Sequence, residues 1–167
     1  YFPFEGSDLK LKGNWGEAIV RPNIFELVGS QGFPGNPTLE AEKSTSSEVG
    51  IEKSFFGGDV RLDVVYFDNE FENKIINATQ ATPPQNAEEA NADGFEISAN
   101  WAPTKRFNAN VNFTLMDSEE IAKDGTVKEL RRRPDNFGSF SANYRWTDRL
   151  RSNLEVIFQG ENAQQDF

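Results

Sequence analysis

The segment FNANVNFTLM, residues 107–116, alternates apolar and polar side chains at almost every step. Phe107, Ala109, Val111, Phe113 and Leu115 share one side, while Asn108, Asn110, Asn112, Thr114 and Met116 share the other. Successive side chains of a strand point to opposite faces, so this period specifies a strand with one apolar face and excludes an amphipathic helix. FEISANW repeats it, with Phe95, Ile97, Ala99 and Trp101 against Glu96, Ser98 and Asn100. SFSANYRW sets Phe140, Ala142, Tyr144 and Trp146 against Ser139, Ser141, Asn143 and Arg145. LRSNLEVIF, VRLDVVY, EVGIEKSF and LKLKGNW carry the same pattern, their apolar sides led by Leu154, Val64, Ile51 and Leu11. Seven strands and no helix are expected.

The connections alternate in length. Phe56-Gly57-Gly58-Asp59, Pro103-Thr104-Lys105 and Thr147-Asp148-Arg149 are tight turns, and glycine supplies the positive φ that the first of them needs. Between them lie long polar segments, residues 17–43, 73–93 and 117–135. Long connections are uncommon in compact domains unless they carry function. Short turns at one end and long loops at the other are the pattern of an outer-membrane barrel. The aromatics agree: Phe55, Trp101, Phe107 and Trp146 sit beside the short turns, and Tyr66 and Phe158 lie toward the long loops. Two aromatic bands around an aliphatic belt suit the two interfaces of a bilayer.

Composition closes other routes. The chain has no Cys and no His, so thiol nucleophiles, thiolate metal sites and the common His-based catalytic arrangements are impossible within it. Its 17 Lys and Arg against 27 Asp and Glu leave a net charge of −10, which argues against a nucleic-acid partner. Fifteen Phe and three Trp are too many for a disordered acidic chain. No stretch approaches the roughly 18 apolar residues of a membrane helix, a test that barrel strands evade. YFPFEGSDLK shows neither a signal peptide nor an initiator Met, so a mature or truncated piece is expected.

A soluble β-sandwich binding module with an acidic surface explains the alternation equally well. It accounts less well for Glu48, Glu52, Arg61, Asp63, Glu96, Arg145, Arg151 and Glu155, spaced along the opposite face. Nor does it require alternating turn lengths.

Residues 8–54 carry a more specific signal. Arg21, Pro22, Phe25, Glu26 and Leu27 form an R-P-x-x-x-E-L segment. Gly35, Asn36, Pro37, Leu39, Glu42 and Ser44 form a G-N-P loop, and Glu48, Gly50 and Glu52 an E-x-G-x-E strand. Together these resemble the C-terminal barrel of TonB-dependent outer-membrane receptors. Ser47 stands where that family more often has Tyr, and Ala41 where Pro is common. ADGFEISANWAPTKRFNANVNFTLMD and LRRRPDNFGSFSANYRW resemble its later strands in order, so the likeness covers nearly the whole chain.

The resemblance implies an all-β, antiparallel up-and-down transmembrane barrel segment: residues 1–167 as part of a barrel of about 22 strands. The plug, the N-terminal TonB-contacting box and the closing strands are absent. Seven strands cannot close a barrel, and lipid tolerates no open edge, so a longer polypeptide is expected. It further implies a Gram-negative outer-membrane location, extracellular long loops and periplasmic short turns. The implied function is active uptake of a scarce ligand: siderophore-bound iron, cobalamin or an oligosaccharide. Energy would come through TonB by way of the absent plug and box. The implied partners are outer-membrane lipid and lipopolysaccharide, a small-molecule or metal-chelate ligand, TonB, and the remaining strands. No cofactor, resident metal or catalytic residue is expected.

Few side chains stand out as ligand contacts. Phe25 and Phe33, with Trp15 near them, are candidates for an aromatic platform, and loop packing explains them as well. Arg131, Arg132 and Arg133, before Pro134, suit bidentate contacts to a carboxylate or phosphate. A loop anchor paired with nearby acids such as Glu129 and Asp135 is the reading the residues favour over such an anion clamp. Asp117, Glu119, Glu120 and Asp124 form an oxygen-rich loop of no EF-hand spacing, expected to be solvated or bridged by divalent ions to lipopolysaccharide. The charges of the polar face are expected to form cross-strand ladders that hold register.

Overall fold

The apolar sets come into register on one face of one sheet. In a computed structural model, which describes residues 8–76, 79–80, 82–122, 125–129 and 134–160, eight strands pair antiparallel. They are β1 (Leu9–Val20), β2 (Glu42–Phe55), β3 (Val60–Ile76), β4 (Gln85–Thr104), β5 (Phe107–Ala122), β6 (Val127–Glu129), β7 (Asn136–Arg145) and β8 (Arg151–Gln159). The order β1-β2-β3-β4-β5-β7-β8 follows the chain, with β6 pairing the upper part of β5. Ile51 faces Val64, Val64 faces Ile97, Ile97 faces Phe113, and Phe113 faces Gly138, which faces Phe158. A one-residue slip in any pair would move that whole apolar set to the other face, so the register is strongly specified.

This face is not covered. Val111 is 40% exposed, Leu154 55% and Val49 62%, and the buried apolar residues, among them Phe67, Pro84, Ala90, Ala92 and Ala109, are few among the described residues. Among the described residues no second sheet lies against it. A sandwich would bury such a surface, so the soluble alternative fails on packing. Along β5 the belt from Phe107 to Leu115 spans eight steps, about 27 Å along the strand. Tilted like a barrel strand, that is about 21 Å, close to the lipid-facing band of an outer-membrane barrel.

Three expectations require correction. The segments 73–93 and 117–135 are not loops throughout, because β3 runs to Ile76, β4 begins at Gln85 and β5 continues to Ala122. Above the apolar belt charged residues mix with Phe71, Ala90, Ala92 and Ile121, and the alternation that marks a strand disappears although the pairing continues. Asp117, Glu119 and Glu120 therefore belong to a strand, with Glu120 on the face opposite the other two, and do not converge as a loop would. The chain also holds a short helix, α1 (Ile24–Val28), with no buried residue.

The tight turns lie where expected. Phe56, Gly57 and Gly58 all adopt positive φ between β2 and β3, and Thr104 faces Phe107 across the β4–β5 turn. Beside them, Trp101 meets Phe107 edge-on at 5.2 Å, Phe107 lies 6.4 Å from Tyr144, and Tyr144 meets Trp146 at 4.6 Å. An aromatic row thus crosses β4, β5 and β7 at the level of the short turns.

Candidate functional site

At the long-connection end, the segment after β1 folds by local rules. Asn23 Oδ1 accepts from the backbone N–H groups of Phe25 (2.9 Å) and Glu26 (3.0 Å), and Glu26 Oε2 accepts from Asn23 N–H (2.7 Å). That reciprocal cap starts α1. Gly29 ends it at φ 81°, and a Cβ on Gly35 would lie 2.2 Å from Gly29 N, so two strands of the loop cross in backbone contact. Asn36 N–H then donates to Glu26 O (2.7 Å), and Asn36 Nδ2 reaches Pro84 O (3.0 Å) beyond β3.

Asn86, at the start of β4, completes the attachment. Its Oδ1 accepts from Glu40 N–H (2.8 Å), and its Nδ2 donates to Glu40 O (3.0 Å) and Asn73 O (2.7 Å). One side chain thus joins the β1–β2 connection to the tops of β3 and β4. What this platform presents is apolar: Ile24, Phe25 and Val28 are each more than 60% exposed, and Phe33 is 42% exposed. Phe25 and Phe33 belong to the same folded segment, through Gly29 N–H to Phe25 O and the Ser30–Phe33 bridge. Trp15 does not join them; it lies in β1 opposite Ser47, five residues before the strand ends.

The opposite face of the wall is polar and hydrogen-bonded. Glu52 holds Lys10 (3.0 Å) and Lys12 (2.9 Å), and Lys12 also bonds Asp63. Asn100 Nδ2 donates to Asn110 Oδ1 (2.7 Å), and Asn110 Nδ2 donates to Asn108 Oδ1 (2.8 Å). Asn153 Nδ2 donates to Asn143 Oδ1 (2.7 Å). The charge ladder is thus present at Lys10, Lys12, Glu52 and Asp63. It is not present at Arg145, which faces Arg151.

The family model for the TonB dependent receptor-like β-barrel matches residues 4–167. The chain belongs to the TonB-dependent receptor β-barrel family. It is 26% identical over 162 residues to the iron-regulated outer membrane virulence protein of Vibrio cholerae serotype O1, covering 87% of this chain and 24% of that protein. It is 28% identical over 119 residues to a protein of Acinetobacter baumannii named probable TonB-dependent siderophore receptor PiuA, covering 71% of this chain and 14% of that protein. Its fold superposes on the FrpB iron transporter from Neisseria meningitidis with a TM-score of 0.66 and 17% identity, over 95% of this chain and 25% of that one. The chain spans about a quarter of the length of the first of these relatives.

The TonB-dependent receptor segment is therefore an outer-membrane β-barrel wall, from a family of receptors and transporters rather than enzymes. Among the described residues its apolar face is uncovered, and the hydrogen-bonded polar side chains lie on the opposite face. Among the described residues no group of three or more acidic side chains is placed to hold a metal ion. Arg131, Arg132, Arg133 and Asp124 lie outside the described residues. Asn86 carried no sequence signal of its role, since it sits outside every motif. Asn36 did, as part of the G-N-P loop.

Proposed function

We propose that this segment serves an importer that captures an iron-bearing small molecule of the siderophore class at the long-loop end and draws energy through TonB. The observation that carries the proposal is the family match over residues 4–167 on a wall with one continuous lipid-type face. The names of the iron-regulated Vibrio cholerae protein and the Acinetobacter baumannii siderophore receptor favour iron over cobalamin or an oligosaccharide. In this reading residues 1–167 are one stretch of a barrel of about 22 strands. A plug, a TonB-contacting box and the closing strands are supplied by the rest of the polypeptide. The long connections face the exterior, where lipopolysaccharide surrounds them, and the short turns face the periplasm.

Phe25 and Phe33 are the proposed apolar contacts for the chelate, held out by α1 and the Asn36–Asn86 attachment. Arg131, Arg132 and Arg133 are proposed to receive its carboxylates or phosphates, since guanidinium matches both in bidentate geometry. The test is uptake of radiolabelled iron chelates by cells that carry the full-length receptor as their only such route. Uptake should require both the receptor and TonB, and a Phe25→Ala, Phe33→Ala pair should raise the half-saturating concentration. TonB-independent uptake, or none with any chelate, would overturn the proposal.

A further inference from the structure

We infer that Glu42 and Asn86 are positioning residues for capture at the long-connection end. They clasp the β1–β2 connection onto a bulge at the top of β3, so that the β1–β2 and β3–β4 connections act as one body. The backbone ladder between β2 and β3 stops at Lys43, opposite Glu72. Directly above, the pairing of β3 with β4 is irregular. Glu72 and Asn73 stand between the Phe71–Ala90 and Lys74–Glu88 pairs where β4 supplies one residue, and β4 carries an extra residue before Ile75 meets Asn86. Asn73 takes φ 58°, a left-handed value that asparagine tolerates better than most residues. Bulges of this kind interrupt a ladder and favour sheet rims and the surroundings of functional sites.

Side chains continue the attachment where the ladder ends. Glu42 Oε1 accepts from Ile75 N–H at 2.7 Å, and Asn86 Nδ2 donates to Asn73 O at 2.7 Å, both partly buried. The Asn86 amide also pairs with the N–H and the O of Glu40, as the peptide of a strand partner would. Asn36 Nδ2 then reaches the O of buried Pro84 at 3.0 Å. Glu42, Glu40 and Asn36 thus meet Ile75, Asn86 and Pro84 as the two segments run on in opposite directions. All of these partners lie within the sheet or its connections, away from the β1 and β8 edges. A charge-assisted bond from Glu42 and an amide with three partners are directional. They fix where α1 and Phe33 stand relative to the β3–β4 connection.

The inference rests on the proposed capture of a chelate at this end and adds that two residues set its affinity without touching it. Its first test uses no ligand. In a full-length, cysteine-free receptor, nitroxides are attached at Gln31→Cys, in the turn before Phe33, and at Gln80→Cys on the β3–β4 connection, both exposed. Pulsed EPR should give one narrow distance distribution that broadens when Glu42→Ala or Asn86→Ala is added. Glu42→Gln keeps an acceptor for Ile75 N–H and should stay narrow. Asn86→Asp keeps the size but turns an oxygen toward Glu40 O and Asn73 O, and should broaden it like Asn86→Ala. Glu17→Ala, a carboxylate lost from β1, should change nothing. The second readout is uptake of radiolabelled ferric citrate, a ferric hydroxamate and a ferric catecholate as separate probes. Glu42→Ala and Asn86→Ala should each raise the half-saturating concentration about twofold to tenfold, the worth of one hydrogen bond, with the maximal rate per receptor unchanged. The double variant should be little worse than either, because the two residues close one clasp. Distributions as narrow in both alanine variants as in wild type, or a lower maximal rate at unchanged half-saturation, would overturn the positioning role. If the transport proposal fails instead, wild-type cells show no TonB-dependent uptake of any probe, and the distance measurement still decides the clasp.

Discussion

Tyr66 Oη donates to Asp93 Oδ2 at 3.2 Å, at the level where the apolar wall ends and the carboxylates begin. Below this bond Tyr66 packs against Phe95 at 5.2 Å. Above it Asp68, Asp93 and Asp117 face one another across β3, β4 and β5. A tyrosine with its ring in the belt and its hydroxyl on the first acid row marks the edge of the apolar belt, as suits an amphipathic ring.

The depth of the wall gives the first prediction. Val111 lies midway along the β5 belt, between Ala99 and Phe140, while Asn112 lies on the polar face between Ser98 and Ser139. Val111→Arg should destabilise the barrel by about 2–4 kcal/mol, the range for a cation near the bilayer midplane. Asn112→Arg should cost far less. Unfolding titrations in lipid vesicles measure both, and equal losses would contradict the assignment of faces.

Tyr144 supplies a complementary case. Its ring sits in the aromatic row, 4.6 Å from Trp146. If this row lies at a headgroup interface, Tyr144→Trp should change stability by under about 0.5 kcal/mol, as for a tolerant surface position. A close-packed protein core would lose about 1–3 kcal/mol from the extra volume. The same vesicle titration separates the two outcomes.

Gly138 marks where the wall cannot accept a side chain. A Cβ there would lie 2.4 Å from the ring of Phe158, which stacks on Phe113, and 2.5 Å from Asn112 O. Gly138→Ala should therefore cost about 1–3 kcal/mol from forced backbone and ring shifts. Adding Phe158→Leu should recover part of the loss, and a thermal melt of the two variants reads the recovery.

At the long-connection end, Asn86→Ala removes three hydrogen bonds that join the β1–β2 connection to β3 and β4. Stability should fall by about 0.5–1.5 kcal/mol, the net range for a hydrogen bond whose partners can turn to water, since the two bonds to Glu40 are exposed. Protease cutting between residues 21 and 41 should become faster, while the belt stays protected. Uniform protection in wild type and variant would show that Asn86 does not hold the platform.

Topology can be read with a thiol reagent, because this segment contains no cysteine. In a cysteine-free receptor, Gln80→Cys on the exposed β3–β4 connection should react with an impermeant maleimide on intact cells. Asp148→Cys, in the β7–β8 turn, should react only after the outer membrane is opened. The reverse labelling would invert the orientation.

Alternation in FNANVNFTLM, FEISANW and SFSANYRW was enough to determine these strands and which of their faces is apolar. A period of two has only one structural solution, and hydrocarbon repeats the same apolar demand at each position. Family motifs such as R-P-x-x-x-E-L and G-N-P placed the chain among TonB-dependent receptors from sequence alone. Where that demand ends, so does legibility. The extensions to Ile76 and Ala122 are strands in which charged and apolar residues do not alternate regularly, so no pattern distinguished them from loops. The grip of Asn86 on Glu40, and that of Asn36 on Pro84, were decided only by tertiary structure. These residues lie far apart in the chain, and register and loop closure, not local propensity, bring them within reach of one another.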